Sequence, residues 1–401
     1  MRAGPSQEEI RRHNLGTLLR HVHIGGPASR AVLADRMGLN RSTILGLVSD
    51  LASVGLVREE LPRDTGRAGR PSLVVRPEPD RAWVLAFDVG VDRLAAARIG
   101  LGGVFLDRQE VPWPREGLRA GEVAGILAGF ARRMTDAAGH GTCCVGVGAA
   151  VRGLVRRPDG LVRSAPNIGW ADEEFGGELT RRLDLGLSVS VGNEANLAAL
   201  AEHLRGAGTG CRDLIYLHGD IGIGGGIIAG GQLLDGDGGY GGEVGHMVVN
   251  PRGGRPCGCG AYGCLEAEAG ERALLQAARR DPLATGRDAV RAVVDAADRG
   301  DISARAALQD VGDWLGIGIA GLVNIFNPGT VIFGGTLREV FLGSAARIRS
   351  RINSQALAAS RDRLRLRVGE LGDDAVLVGA AELAFSDILT GPLEALARAT
   401  V

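Results

Sequence analysis

Residues 243–266 read EVGHMVVNPRGGRPCGCGAYGCLE, and four of them, His246, Cys257, Cys259 and Cys264, are of the types that hold transition metals. Three thiolates and one imidazole are the usual donors of a closed tetrahedral zinc site, and they suit zinc better than magnesium or calcium. Four protein donors leave no position for a reactive water, so the set implies a folding clamp rather than a hydrolytic centre. An iron–sulfur cluster fits less well, because histidine ligation is the exception there. The plain alternative is four reduced side chains without metal. Two carboxylates, Glu243 and Glu266, flank the set. Carboxylates accept strong, charge-assisted hydrogen bonds from hydroxyl groups; for either glutamate taken alone, a solvated loop charge is the default.

A glycine-rich loop cannot aim such groups by itself, so the rest of the chain must. Its 401 residues have room for two or three domains with proper cores. Strand-like runs alternate with glycine turns. RAWVLAFDVGVDRLAAARIGLGGVFLDRQEV predicts two or three antiparallel strands, with Asp88 and Gly90 at the first turn. DLIYLHGDIGIGGGIIAGGQLL repeats the theme, while TCCVGVGAAVRGLV, LSVSVGNEANLAALAEHL and NIFNPGTVIFGG read as further strand–turn units. The repetition predicts a duplicated two-lobed α/β body with a ligand cleft on the glycine turns. The expected lobes are 82–192, completed by a C-terminal helix at 378–398, and 193–377 with the metal set. The segment Ala380–Leu396 is expected to pack back on the first lobe, with docking to another protein as the alternative.

Composition narrows the class. Hydrophobic residues at 45% and charged residues at 23% describe an ordinary globular protein. No window approaches 18 apolar residues, and MRAGPSQEEIRRHN lacks the apolar stretch of a signal peptide, so a cytoplasmic protein is expected. Three of the six cysteines lie within eight residues, which in a reducing compartment favours metal over disulfides. All 46 basic residues are arginine, so arginine abundance alone says little about nucleic acid. The distribution says more: residues 1–77 hold 12 arginines against 7 acidic residues, a net +5, leaving −6 for the remainder.

The basic head, 1–78, reads as a winged helix-turn-helix. Ile10, Leu15, Leu18, Leu19 and Val22 have helical spacing; Ser29 caps RAVLADRM, which Gly38 ends; and Asn40 caps RSTILGLVSDLASVG. Asn40, Arg41, Ser42 and Thr43 form the polar start of a recognition helix. Its later Leu45, Val48, Leu51 and Leu56 are expected to face the core. GRAGRP then offers Arg67 and Arg70 on a wing for the minor groove. A protein-interaction module with a flexible basic linker is the alternative.

Taken together, GIGGGIIAGGQLLDGDGGYGGEVGH and the C-x-C-G-x-x-G-C-x-E element CGCGAYGCLE resemble the signatures of the ROK family of bacterial sugar kinases and sugar-responsive repressors. Gly219 stands where an apolar residue is usual. The resemblance runs from about Trp83 onward, and the head resembles that of the repressor branch. It implies an actin-like, RNase H-like duplicated sugar-kinase fold behind the winged head. It also implies that Asn193, Glu194, Glu243, His246 and Glu266 surround a sugar, with Asn167 and Trp170 as further lining.

Within that resemblance, two activities are open: ATP-dependent sugar phosphorylation and sugar-controlled DNA binding. The kinases' Asp-x-Gly-Gly-Thr is here DVGVD, with Val91 and Asp92 where small residues admit phosphate. Asp220-Ile221-Gly222 replaces Gly-Thr-Gly, and Glu194 replaces the catalytic Asp of Asn-Asp-Ala-Asn. Three changes on the phosphate side, beside an intact sugar and zinc side, favour a non-enzyme repressor. It would be a homodimer or tetramer on a palindromic operator. Three glutamates make a phosphorylated effector less favoured than a neutral sugar.

Overall fold

The computed structural model describes residues 6–61, 73–112 and 118–399. The wing arginines Arg67 and Arg70 therefore lie outside the described residues.

The head opens with α1 (Gln7–Gly25), started by a reciprocal capping box between Ser6 and Glu9. Then come β1 (Ala28–Ser29), α2 (Arg30–Met37), α3 (Arg41–Ser53), β2 (Val57–Glu60) and β3 (Val74–Pro77). Ser29 caps α2, Gly38 ends it in the left-handed conformation, and Asn40 caps α3 through the Thr43 amide. The three strands pair antiparallel in the order β1-β3-β2, the sheet of a winged helix. The buried face of α3 is Ile44, Leu47, Val48 and Leu51, an i, i+3, i+4, i+7 stripe. Leu45 falls outside that stripe and is exposed, contrary to expectation, as is Ile10 on α1.

The body contains two matching five-stranded sheets. The first is built from β4 (Ala82–Val89), β5 (Arg93–Gly100), β6 (Val104–Pro112), β7 (Cys143–Val151) and, after a small sheet of β8 (Leu154–Arg156), β9 (Leu161–Ala165) and β10 (Trp170–Glu173), β11 (Val189–Asn193). Its helices are α4 (Ala120–Asp136) and α5 (Phe175–Leu183), while α6 (Glu194–Arg205) follows β11 and packs mainly on the second sheet. The second sheet uses β12 (Leu214–Gly219), β13 (Ile223–Ala229), β14 (Gln232–Leu233), β15 (Thr330–Gly335) and β16 (Arg365–Val368). The orders β11-β7-β4-β5-β6 and β16-β15-β12-β13-β14 correspond strand for strand. Each has an antiparallel meander on one side and two parallel strands on the other. This is the duplicated actin-like architecture.

Helices α7 (Leu265–Ala269), α8 (Glu271–Ala277), α9 (Arg287–Asp298), α10 (Ile302–Phe326), α11 (Leu337–Gln355) and α12 (Ala358–Arg361) follow the second lobe's loops, and most share its outer core. The C-terminal segment is three short helices, α13 (Ala375–Ala384), α14 (Ser386–Thr390) and α15 (Pro392–Ala399), rather than one. α13 lies with α6 between the sheets, whereas α14 and α15 also pack on α1. One apolar core consequently runs from Leu15, Leu51 and Val75 of the head through α6 and α13 to both sheets. Among the described residues no helix is long and apolar enough to cross a membrane.

Candidate sugar and metal site

The turn after β4, the loop after β7, the β11–α6 junction and the β12–β13 turn all reach one cleft. The cleft holds a cavity of about 760 Å³, lined by Val91, Arg152 and Asn167 of the first lobe, by Asn193 and Glu194 at the junction of β11 and α6, and by His218, Asp220, Glu243, His246, Cys257 and Glu266 of the second lobe. All five residues with an expected sugar role are therefore on its wall. Trp170 is not: its buried indole packs on Phe175 and donates to the Leu118 carbonyl, 2.8 Å away, so it supports the lobe's own core.

The polar groups differ in what they have left to offer. Asn193 caps α6, its Oδ1 accepting from the Ala195 and Asn196 amides at 2.9 and 3.1 Å, and its Nδ2 donates to the Gly153 carbonyl. Its amide oxygen is thus already used. Glu194, the first residue of α6, is buried, and its Oε2 has no partner. Burial pushes its carboxyl up to about 8 against the pull of Arg152. Glu243 is exposed at the rim. Glu266 accepts from the Ile223 amide, 3.2 Å away, which ties the second lobe's glycine loop to the metal loop.

The metal set converges. Ligand atoms of His246, Cys257, Cys259 and Cys264 all lie within 4.8 Å of one another. His246 Nδ1 is 3.5 Å from Cys257 Sγ, and Cys259 Sγ is 3.7 Å from Cys264 Sγ. Donors about 2.0–2.3 Å from a shared tetrahedral ion stand roughly 3.5–3.8 Å apart, so the cluster has the dimensions to hold a metal ion. The backbone is folded tightly to achieve this. Gly263 has φ +73°, and a Cβ there would lie 1.9 Å from the Asn250 carbonyl oxygen. Buried Glu268, which sequence reading did not single out, anchors the loop by accepting from the Arg255 amide at 2.6 Å.

Sequence reasoning also missed Arg152, which follows β7 and is largely buried. Its Nη1 donates to Asp88 at 2.9 Å and its Nε to Asp220 at 2.7 Å. Burial opposes its charge, but Asp88, Asp220 and Glu194 together hold its pKa raised. An arginine interrupting the apolar run AAVRGLV is the signal that marks it. Beside it His218, bonded to the Tyr216 hydroxyl, is kept neutral by burial, which pushes it down to about 4.

At the far end of the molecule, Asn40 Oδ1 is occupied by the Thr43 amide and the Ser42 hydroxyl, while Arg41 and Ser42 are exposed. Asn40 is thus placed as a cap, and Arg41 is free to reach outward.

Known proteins sharpen this picture. A model of the ROK family matches residues 84–386. A glucokinase of Halalkalibacterium halodurans is 30% identical, covering 75% of this chain and 94% of its own. A xylose repressor of Caldicellulosiruptor bescii is 30% identical, covering 91% of this chain and 93% of its own. A solved ROK family transcriptional regulator, a homolog of the E. coli MLC protein, superposes with a TM-score of 0.78 at 25% identity, over 98% of this chain and 99% of its own. The last two matches extend into the head; the glucokinase match leaves a quarter of the chain outside it.

Proposed function

The chain belongs to the ROK family, and on that premise we propose that it is a sugar-responsive, DNA-binding transcriptional regulator. It represses carbohydrate-utilisation genes, and an unphosphorylated sugar in the interlobe cleft modulates its hold on the operator. The observation that carries the ligand reading is the buried, unpartnered Glu194 Oε2 on a cavity also fronted by Glu243 and Glu266. A buried oxygen without a partner is costly, and a ligand hydroxyl removes that cost. The protonated Glu194 carboxyl can donate as well as accept, which suits a neutral polyol better than a phosphate.

His246, Cys257, Cys259 and Cys264 would hold structural zinc. Such an ion supplies folding energy to the loop and no open coordination position. Asn193, Glu194, Glu243, His246 and Glu266 form the sugar site, with Nδ1 of His246 toward the metal set. Asn40, Arg41, Ser42, Thr43, Arg67 and Arg70 form the DNA-contacting set, in a homodimer or tetramer. The position of Arg152 supports a non-enzyme: a guanidinium occupies the ground between Asp88 and Asp220, where the two glycine turns face each other. Val91, buried against the same cavity, narrows it further.

Sugar kinase activity is the second reading, favoured by the glucokinase relative and by a carboxyl at position 194. A coupled assay with ATP and D-xylose, D-glucose or N-acetyl-D-glucosamine separates the two. The regulator reading expects no turnover. It also expects gel-shift binding to the chain's own upstream DNA that changes with one of these sugars. Steady phosphorylation without any effect on DNA binding overturns it.

A further inference from the structure

Helix α6 begins in the cavity, at Glu194, and ends about 18 Å away at Arg205. Arg205 is clamped at that end. Its Nε donates to Glu382 of α13, and its Nη1 donates to the carbonyls of His23, on α1 of the head, and Gly102, in the β5–β6 turn. His23 completes the cluster. Its Nδ1 accepts from the Gly102 amide at 2.9 Å, and its Nε2 lies 3.2 Å from Glu382 Oε2. The backbone amide can only donate, so Nδ1 is the bare nitrogen of the ring, while Nε2 sits between the Glu382 carboxylate and Nη2 of Arg205, which is 2.7 Å away. Four chain segments thus meet at one buried knot, and one of them is the helix that supports the recognition helix.

The connecting rod is stiff and cannot slide by itself. α6 lies against α13 so closely that a Cβ at Gly379 would fall 2.0 Å from the Leu197 carbonyl oxygen. Its Ala195 and Ala199 sit against the glycines of β13, where a Cβ at Gly226 would lie 2.4 Å from that of Ala199. Close-packed helices shift as bodies or not at all. A buried ionic cluster is poor as a source of stability compared with apolar packing, but it fixes a single geometry.

We propose that α6 transmits cleft occupancy to the head, with Arg205 and His23 as the positioning residues that make α1 follow it. The inference rests on the sugar reading above and adds the route. A ligand that bonds Glu194 displaces the first turn of α6; the far end carries Arg205, which holds the His23 carbonyl, and α1 tilts with it. Since α1 packs on α3, the recognition helices of a dimer change their relative setting.

The test uses the full chain, D-xylose, D-glucose and N-acetyl-D-glucosamine as probes, and the chain's own upstream DNA. His23→Phe keeps a ring beside Phe385 and leaves the Arg205–Glu382 pair intact; Arg205→Lys keeps the charge and loses the fork. Each variant is expected to bind the sugar within about twofold of wild type, while the sugar-induced change in operator affinity, about tenfold for a coupling of ordinary size, falls below about twofold. A variant that binds sugar normally and keeps the wild-type change overturns the route. Hydrogen exchange on the unaltered chain probes the same route without substitution: sugar must alter protection at residues 20–26, and no change there overturns the proposal. If the wild type binds none of the three sugars, the ligand reading itself fails, an outcome distinct from intact coupling in the variants.

Discussion

Nε of Arg152 donates to Oδ2 of Asp220 at 2.7 Å, and this bond crosses from the first lobe to the second. Asp88, beneath it in the first lobe, holds the guanidinium in that direction. Removing Arg152 would leave a fully buried Asp88 carboxylate without its cation. Losing one partner of a buried pair costs about 3–5 kcal/mol, and the lower end applies because the Asp220 side chain is 37% exposed. Arg152→Ala is therefore expected to lower the melting temperature strongly, and Asp220→Ala much less. A double-mutant cycle on thermal unfolding should return a positive coupling between them. Equal and additive small effects would show that the bridge is idle.

The metal loop makes a separate prediction. Metal analysis of the purified chain should find one zinc per molecule, and Cys264→Ser, which alters the buried donor, should lose it. Glu266 and the Ile223 amide hang on that loop, so metal removal by a strong chelator should weaken sugar binding more than operator binding. Metal-free protein with unchanged sugar affinity would separate the clamp from the pocket.

How much of this was visible beforehand depends on whether neighbours in space are neighbours in sequence. The clustering of His246 with Cys257, Cys259 and Cys264, the caps Ser29 and Asn40 and the repeated strand–glycine-turn theme rest on residues close in sequence, and the structure has each of them. Leu45 was misplaced because a leucine one position off the helical stripe looks like its neighbours in composition, and only the phase of Ile44, Leu47, Val48 and Leu51 excludes it. Arg205 and Glu382 were not legible, and Arg152 was marked only by its place in an apolar run. Their partners are 64 to 359 residues away along the chain, and a charged residue in an apolar run gives no hint of which one it meets. The separation of head from body was likewise read from charge, whereas the structure joins them through one core.

The recognition helix depends on its cap. Asn40 Oδ1 accepts from the Thr43 amide at 2.8 Å, meeting a donor the helix leaves free. Asn40→Ala should cost about 1 kcal/mol of head stability, read by thermal unfolding. It should weaken operator binding without touching sugar affinity. Asn40→Asp, which keeps an acceptor, should restore the stability but, on the proposed DNA-contacting role of this turn, not the full DNA affinity, since it adds a negative charge that phosphates would repel. Normal DNA affinity for the aspartate variant would place this turn away from the backbone.

The His23 knot should also show in the pH dependence of stability. Burial is the main cause lowering the His23 pKa below 6.5, and Arg205 and Arg20 add to it, while Glu382 pulls the other way. The folded state therefore favours the neutral ring, whose Nδ1 must stay bare to accept the Gly102 amide. Above 6.5 the ring is neutral in both folded and unfolded chains, and its contribution is fully present. As pH falls below 6.5, the unfolded chain takes up a proton that the folded chain resists, so stability declines until the folded-state pKa is passed. Lowering the pH from about 7.5 to about 5.5 should destabilise the wild type more than His23→Phe, and the difference isolates this ring from the other titrating groups. Parallel melting curves for the two proteins across that window would mean that His23 is protonated as easily in the knot as in water.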